Sequence, residues 1–178
     1  STAAVRESSH APLPSPPQLC GDYWMEHEMR LLDGKPLSYT LALIKPDAVL
    51  ANNASDILDD MSKLFIVADV HLAQWRAREV EAFYSDLSGK SFFPALVEFM
   101  SSAPMYAVTL VGPDAVVKWR EQCGPTDPKV ASMTAPNSFR ARYSAMDGVI
   151  MHNVVHGSDS VARAAFEVAM VPTRVAPR

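Results

Sequence analysis

The sequence has little cysteine, no long apolar run and no large excess of one charge, and each shortage excludes a class of protein. Its two cysteines, Cys20 and Cys123, are too few for a disulfide framework and lack the spacing of metal ligands. No apolar run reaches the roughly 18 residues that a membrane-spanning helix needs. The net charge of -4 gives no general affinity for nucleic acid or an anionic membrane, so a polyanion would have to bind at a local basic site.

The composition is typical of one globular domain with a terminal extension. The chain has 178 residues, of which 48% are hydrophobic and 20% charged. Residues 1–38 contain the stretch APLPSPPQL, which favours an extended polyproline-like conformation. This segment lacks the apolar core of a secretory signal, and its early Ala, Ser and Arg residues suggest an organellar presequence. Because such a segment is ordered only when something holds it, we predict an extension over 1–38 that contacts a protein partner, a domain over 39–171 and a short tail over 172–178.

Apolar periodicity predicts a small domain that mixes strands and helices. The predicted strands cover 39–44, 66–72, 105–111 and 149–155, and the predicted helices cover 56–64, 78–87, 91–100 (capped by Ser91), 113–122 and 158–170. Residues 123–148 show no clear period and are predicted to form a long loop, which is usually functional inside a compact domain. This order favours an α/β (α+β) fold with an antiparallel sheet of the split βαβ type, covered by helices on one face.

The stretch HNVVHGSDS, residues 152–160, places a histidine between an apolar strand and the start of a helix. The free N–H groups and dipole of a helix N-terminus attract an anion. His156 is therefore a candidate phosphoryl acceptor, since a neutral imidazole nitrogen is a competent nucleophile. Gly157 would allow close approach, and Ser158 would cap the helix or bond a phosphate oxygen. The alternative is a turn histidine that bonds only the backbone.

Glu167 and Lys45 are candidates for supporting roles. Glu167 would bond the other ring nitrogen of His156 and fix its tautomer if the last helix folds back beneath the strand. Otherwise it is a solvated helix residue. Lys45 ends the first predicted strand in the motif IKPD, where the following proline would hold it for a phosphate contact. The alternative is an ordinary surface lysine.

A further set of candidates lies around the predicted loop and in the helix before it. Three arginines and a hydroxyl would clamp several phosphates; they are Arg120, Thr126, Arg140 and Arg142. The alternative is a helix-end arginine with unrelated loop charges. Phe92, Phe93 and Leu96 have the helical spacing of core residues, and one of them would equally serve as a stacking surface for a base.

Taken in order, these segments resemble one family. The segments TLALIKPDAV, FYSDLSGKSFFPALVEFM, AVVKWREQCGPT, PNSFRARY and NVVHGSDS occur in the order and near spacing of the nucleoside diphosphate kinases. The resemblance runs from about Tyr39 to Met170, and segments such as LVEFM and GPT are closer to the family's divergent branch. Several members of that branch are mitochondrial or ciliary, so the resemblance implies an intracellular protein, either mitochondrial or cytoplasmic and ciliary.

The resemblance implies a ferredoxin-like α/β sandwich and a two-step reaction. The terminal phosphate of a nucleoside triphosphate would pass to a nucleoside diphosphate through a phosphohistidine, with Mg²⁺ carried by the nucleotide phosphates. His156 would be the nucleophile and Glu167 the residue that orients it. The implied nucleotide contacts are Lys45 and Tyr84 near the transferred phosphate, Phe92 and Leu96 at the base, Arg120, Thr126 and Arg140 at the phosphates, and Asn153 at the ribose hydroxyl, with Gly157 and Ser158 close to the phosphate.

The chain also departs from the housekeeping members of that family. The segment between Thr126 and Arg140 is longer, YSAMDGVIMHN looks extended, and Arg142 replaces a residue that is small or acidic in many members. In the family this region forms the pocket wall and part of the oligomer contact. With the proline-rich extension and the short C-terminal tail, these departures leave a second hypothesis, a structural or nucleotide-sensing subunit of a larger assembly with little turnover.

Overall fold

The computed structural model describes residues 31–32 and 34–172, and an antiparallel sheet runs through their centre. Its strands are β1 Leu31–Leu32, β2 Lys35–Ile44, β3 Ile66–Ala73, β4 Met105–Pro113 and β5 Val155–Gly157. The order across the sheet is β5-β2-β4-β3, with β1 pairing beside the first residues of β2, and every pair is antiparallel. Strands β2 and β3 therefore run parallel with β4 between them, so the predicted ferredoxin-like antiparallel fold is confirmed.

Helices pack on both faces of this sheet, not on one face as predicted. They are α1 Pro46–Leu50, α2 Ala54–Leu64, α3 Ala77–Phe83, α4 Phe93–Ser101, α5 Ala115–Cys123, α6 Pro128–Thr134, α7 Phe139–Tyr143 and α8 Val161–Met170. Ala42 and Ile44 of β2 pack with residues of α2, α5 and α7, whereas Leu41 and Leu43 pack with residues of α3 and α4. Since all four side chains are fully buried, β2 is covered on both sides, as an unbroken apolar run indicates.

The predicted N-terminal extension is described only near its end. Residues 1–30, residue 33 and residues 173–178 lie outside the described part of the chain, so the partner contact predicted for 1–38 stays a prediction. Strand β2 begins at Lys35, before the predicted start at Tyr39. The polar Ser38 belongs to it and pairs with Gly112 of β4. Its hydroxyl donates to the Gly112 carbonyl at 3.2 Å and accepts from the Ala115 N–H at 2.8 Å. Within the described ranges, no helix has both the length and the apolar character needed to cross a bilayer.

The predicted long loop over 123–148 is wrong, because it contains helices α6 and α7. Both are too short, at 7 and 5 residues, to give a visible apolar period. Their starts nevertheless carry capping residues. Asp127 accepts a hydrogen bond from the Lys129 N–H at 2.8 Å, and Ser138 accepts one from the Ala141 N–H at 3.4 Å. The motifs Asp-Pro and Ser-Phe-Arg are the local signals that indicate these helices.

The predicted boundaries around the HNVVHGSDS motif are also wrong. The strand covers only Val155–Gly157 instead of 149–155, because Val154 has a φ of +60° and a left-handed residue interrupts an extended strand. The last helix begins at Val161, and its capping residue is Ser160, whose hydroxyl accepts from the Arg163 N–H at 3.1 Å. Ser158, predicted as a possible cap, is buried and faces inward.

Smaller corrections concern three other helix boundaries. The helix predicted over 78–87 ends earlier and is followed by a 3₁₀ turn at Ser85–Leu87. Ser91 does not cap α4, since the residue at that position is Phe92 and no side chain caps the helix. Helix α5 begins after Asp114, whose φ of +54° separates it from the strand. Pro113, predicted to open this helix, is the last residue of β4.

Candidate active site

His156 lies in the middle of the short strand β5, opposite Leu43 of the central strand β2. Its carbonyl accepts a hydrogen bond from Nε1 of Trp119 in α5 at 2.9 Å. Its ring meets the rings of Phe83 and Tyr84 edge to face, with centroids 5.4 and 5.7 Å away. Hydrogen bonds therefore hold the backbone of His156 and ring packing holds its imidazole plane, which is how a reacting group is preorganised.

Glu167 of α8 makes the contact with His156 that the sequence predicts. The His156 Nε2 and Glu167 Oε2 atoms are 3.0 Å apart, Ser158 Oγ donates to the same carboxylate oxygen at 2.6 Å, and Arg163 Nε donates to Oε1 at 2.9 Å. Burial by itself raises the pKa of Glu167, but the bonds from His156, Ser158 and Arg163 outweigh it and hold that pKa below its ordinary value. An ionised carboxylate only accepts hydrogen bonds, so Nε2 is the donor in this contact, and the neutral tautomer that the contact favours has its lone pair on Nδ1.

Gly157 leaves room for the side chain of Trp119. The sequence suggests a different role for this glycine, the close approach of a phosphate. A Cβ atom at this position would lie 2.7 Å from Cδ1 and 2.9 Å from Nε1 of Trp119. Trp119 is fully buried and its indole N–H is the group that holds the His156 carbonyl. Glycine is therefore required here by close packing, because the tryptophan cannot move without releasing the strand of the histidine.

Replacing Gly157 by alanine is expected to destabilise the fold and disturb the site together. The added methyl group must displace Trp119, at a loss of about 1–3 kcal/mol in the free energy of unfolding. Thermal unfolding of the two proteins measures this loss as a fall in Tm of several degrees. Gly89→Ala is the matched control, because nothing lies within 4 Å of a Cβ built there. Equal Tm values for Gly157→Ala and the wild type would contradict the packing argument.

The backbone just before His156 is held in a strained conformation by α1. Val154 is β-branched, buried and left-handed, with φ at +60°, which is unfavourable for such a residue. Its N–H donates to Oδ2 of Asp47 at 3.0 Å, and its carbonyl accepts from the Lys45 N–H at 2.8 Å. The IKPD motif thus fixes the chain leading into β5, a role that the sequence does not reveal.

A cavity of about 340 Å³ lies beside the imidazole, a size within the usual range for small-ligand sites. The predicted site residues that line it are Tyr84, Arg120, Thr126, Arg140, His156, Gly157 and Glu167. They come from the end of α3, from α5 and the turn after it, from α7, from β5 and from α8. The fold therefore brings together side chains from the middle and the C-terminal part of the domain sequence, between Tyr84 and Glu167.

The cavity contains three arginines, and their pairing differs. Arg120 forms an ion pair with Asp159, and Arg163 is paired with Glu167 at 2.9 Å and with Asp86 at 3.0 Å. Arg140 instead donates to two backbone carbonyls, those of Gly124 at 2.8 Å and Val155 at 3.1 Å, and its Nε has no partner among the described residues. Burial lowers the pKa of Arg140 from its ordinary value, so the cavity holds a desolvated cation that an anion would stabilise.

Similarity to known proteins shows the family of this chain. A family model described as nucleoside diphosphate kinase matches residues 38–173. This chain belongs to the nucleoside diphosphate kinase family. It is 39% identical over 136 residues to the Danio rerio protein named nucleoside diphosphate kinase 6, covering 76% of each chain. It is 38% identical over 135 residues to the Homo sapiens protein of the same name, covering 75% of this chain and 71% of that protein.

Solved structures of the nucleoside diphosphate kinase family show the same fold. The Aquifex aeolicus enzyme superposes with a TM-score of 0.72 at 35% identity, covering 75% of this chain and 94% of that one. The Encephalitozoon cuniculi enzyme gives a TM-score of 0.68 at 32% identity, covering 75% and 87%. The family resemblance predicted from the sequence is therefore confirmed, and the ferredoxin-like sandwich is the family's fold.

Several residues that the family resemblance implies lie beside the cavity and not in its wall. Lys45 is buried, with its amine donating to the Met151 carbonyl and to Oδ1 of Asn153, the latter at 2.9 Å. Asn153 also donates to the Thr126 carbonyl at 2.9 Å. Burial lowers the pKa of Lys45 to about 7, with Asp47 opposing this shift and Arg140 adding to it. The pair thus links the segment before the motif to the turn after α5.

Phe92, Leu96 and Arg142 also lie outside the cavity wall. Phe92 is 47% exposed at the start of α4, and Leu96 is buried in the core one turn later. Arg142 points to α2, where it forms an ion pair with Asp60, so its predicted place in a phosphate clamp is wrong. Arg140 and Arg142 lie about 200° apart around one helix because each residue turns it by roughly 100°.

Some residues at this cavity and around His156 were not predicted from the sequence. Arg163 lies one helical turn before Glu167 and binds the carboxylate that binds His156, and this i, i+4 spacing was the available signal. Asp86 and Asp159 line the cavity as counter-ions of Arg163 and Arg120. No short-range pattern indicates the contact of Trp119 with His156, because it joins residues 37 positions apart.

Proposed function

We propose that this chain transfers the terminal phosphate of a nucleoside triphosphate to a nucleoside diphosphate through a phosphohistidine at His156. The observation that carries the proposal is the Glu167–His156 contact of 3.0 Å at Nε2, on a ring that lines a cavity with three arginines. This contact leaves Nδ1 without a hydrogen-bond partner among the described residues. A ring nitrogen with a free lone pair beside a cationic cavity is what nucleophilic attack on a phosphate requires.

In the first half-reaction the Nδ1 lone pair attacks the terminal phosphorus. A bond forms between Nδ1 and phosphorus while the bond from phosphorus to the bridging oxygen breaks, and the nucleoside diphosphate leaves with that oxygen. The proton stays on Nε2, so the imidazole becomes cationic and the buried Glu167 carboxylate stabilises that charge. In the second half-reaction an oxygen of another nucleoside diphosphate attacks the phosphorus, and Nδ1 recovers its lone pair.

The arginines supply positive charge where the phosphates would lie. Arg140 has no carboxylate partner in the described part of the chain and is mostly buried, so its guanidinium is available to phosphate oxygens at low dielectric. Arg120 is half exposed and its ion pair with Asp159 is a surface pair, which is weak enough to be exchanged for a phosphate. Phosphoryl transfer depends mainly on such positioning and charge neutralisation.

We propose that Mg²⁺ enters as its complex with the nucleotide phosphates. Asp86 and Asp159 lie at the cavity but are each paired with an arginine, and the described residues contain no group of three side chains that would bind a metal ion by themselves. This donor set fits a cation that the phosphates bring with them. When bound, Mg²⁺ would neutralise charge on the phosphate oxygens.

Incubation of the full chain with γ-labelled ATP and Mg²⁺ tests the proposal. Phosphohistidine is labile in acid and stable in alkali, so the expected label has both properties. It is also expected to pass to a nucleoside diphosphate added afterwards. A folded protein that takes up no label would contradict the proposed transfer and would favour the second hypothesis, a subunit with little turnover.

Glu167→Gln is expected to slow label formation by about 10–100-fold. Glutamine keeps the size of the side chain but removes the charge that stabilises the cationic imidazole. Rapid-quench measurement of the first half-reaction gives the rate directly. Glu81→Gln is the matched control, because Glu81 is an exposed residue of α3 away from the cavity. Equal rates for the wild type and Glu167→Gln would show that the carboxylate charge plays no part.

A further inference from the structure

Helix α7 carries Arg140, the cavity arginine without a carboxylate partner among the described residues, but has only 5 residues. Helices of this length are not stable by themselves, so the position of Arg140 depends on its own bonds to the Gly124 and Val155 carbonyls and on what holds both ends of α7. Its N-terminal end is fixed by packing, because Phe139 is buried and its ring lies 5.0 Å from that of Trp119. The C-terminal end, at Arg142 and Tyr143, has a further attachment besides the contact of the Tyr143 ring with Phe139.

That attachment is a carboxylate on α2. Asp60 accepts hydrogen bonds from Nη2 of Arg142 and from the Tyr143 hydroxyl, the latter at 2.7 Å. The Arg142 guanidinium also lies over the Tyr143 ring, 4.8 Å from its centroid. Lys63 of the same helix α2 donates to the other oxygen of Asp60 at 2.7 Å, which leaves the Asp60 side chain only 15% exposed.

A second bond joins the C-terminal end of α7 to the start of α2. Nδ2 of Asn53, the residue before α2, donates to the Tyr143 carbonyl at 3.4 Å. An isolated surface ion pair contributes little, but a carboxylate that receives three donors forms a network that holds its geometry. The contacts join residues 82 and 83 positions apart, so they fix the orientation of α7 relative to the rest of the domain.

We propose that Asp60 is a positioning residue for nucleotide binding: by holding Arg142 and Tyr143 it orients α7 so that Arg140 faces the cavity. The inference rests on the proposed function, since it assigns to Arg140 a contact with nucleotide phosphate. Asp60 does not line the cavity, so it acts on the nucleotide only through α7.

A double-mutant cycle tests this coupling, with binding of ADP by calorimetry as the readout for the full chain. Asp60→Asn keeps the size of the side chain but removes its charge and one acceptor, and we expect ADP binding to weaken about tenfold. In an Arg140→Met background the same change is expected to have almost no further effect, because there is no guanidinium left to position. A residue that stabilised only the fold would not show this dependence on Arg140.

Asp59, the neighbouring carboxylate, provides the control variant. Exchanging the charges of Asp60 and Arg142 tests whether ADP binding can be restored. Asp59→Asn alters an exposed residue of the same helix and is expected to leave the Kd for ADP unchanged. Asp60→Arg should weaken binding more than Asp60→Asn, because two cations then face each other, and adding Arg142→Asp should recover most of the loss. Equal tenfold losses with and without Arg140, or no loss for Asp60→Asn, would overturn the proposal.

Measuring ADP binding also distinguishes a failure of the Asp60 proposal from a failure of the proposed phosphate transfer. Binding of ADP does not require transfer, so a wild type that binds ADP but forms no phosphohistidine would refute the transfer and leave the cycle interpretable. Hydrogen exchange of the α7 amides gives an independent measure. Asp60→Asn is expected to raise exchange over residues 139–143 at a temperature where the rest of the domain stays protected, and unchanged exchange there would also overturn the positioning role.

Discussion

His156→Ala is expected to abolish incorporation of label from γ-labelled ATP and to lower nucleotide-dependent phosphate transfer by at least about 10³-fold. Alanine removes the ring nitrogen that would form the bond to phosphorus, and no other described side chain in the cavity offers a comparable nucleophile. The only thiol among the described residues, Cys123, is buried, which raises its pKa to about 12, so it stays protonated and unreactive at neutral pH. The loss is measured as label per chain and as turnover at saturating nucleotide.

The control for this experiment is a histidine on the far edge of the sheet. His71 of β3 is paired with Asp69 at 2.7 Å and does not line the cavity, so His71→Ala should keep full labelling. The fold should survive His156→Ala, because the backbone bonds of β5 and the bond from Trp119 do not involve the ring. Label that persists in a folded His156→Ala protein would place the acceptor elsewhere and contradict the proposed mechanism.

Arg140→Met is expected to lower kcat/KM by about 10²–10³-fold while changing the free energy of unfolding by less than about 2 kcal/mol. The activity falls because the guanidinium is the cavity cation without a carboxylate partner in the described chain. The stability changes little because two effects oppose each other. Methionine removes the free-energy cost of burying a charge, which stabilises the fold. The carbonyls of Gly124 and Val155 lose their hydrogen-bond donor, which destabilises it.

Steady-state kinetics and denaturant unfolding of the same protein separate these two effects. Lys118→Met is the control, since it removes a cation from the exposed side of α5 without touching the cavity. A large loss of stability with unchanged kinetics would mean that Arg140 is a structural residue, and its position beside His156 would then have no catalytic consequence.

Most candidate residues of the site can be predicted from the sequence, because they belong to short motifs. HNVVHGSDS identifies the histidine and its glycine, and IKPD identifies the strand end beside it. Glu167 follows from helical spacing once the last helix is assumed to fold back. An antiparallel sheet of the split βαβ type also follows from the alternation of strand and helix periods.

What the sequence could not decide is which face of each short element points to the cavity. Arg140 and Arg142 are similar candidates in FRARY, but the structure turns Arg140 to the cavity and Arg142 to Asp60 of α2. Lys45 follows a strand both in the prediction and in the structure, but its amine bonds the Met151 carbonyl and the Asn153 side chain and does not line the cavity. These outcomes depend on contacts between residues 82 to 108 positions apart, which local patterns do not encode.

The sequence by itself determined the residue types and their order. These are a histidine as the candidate nucleophile, a carboxylate on the helix that follows it, and arginines near one another in the chain. Only the tertiary structure decided that Gly157 makes room for Trp119, that Ser158 bonds Glu167 and that Arg140 is the cavity arginine without a carboxylate partner among the described residues. The physical reason is that a motif fixes the chemistry available at a position, whereas packing between distant elements fixes the direction, partner and desolvation of each side chain.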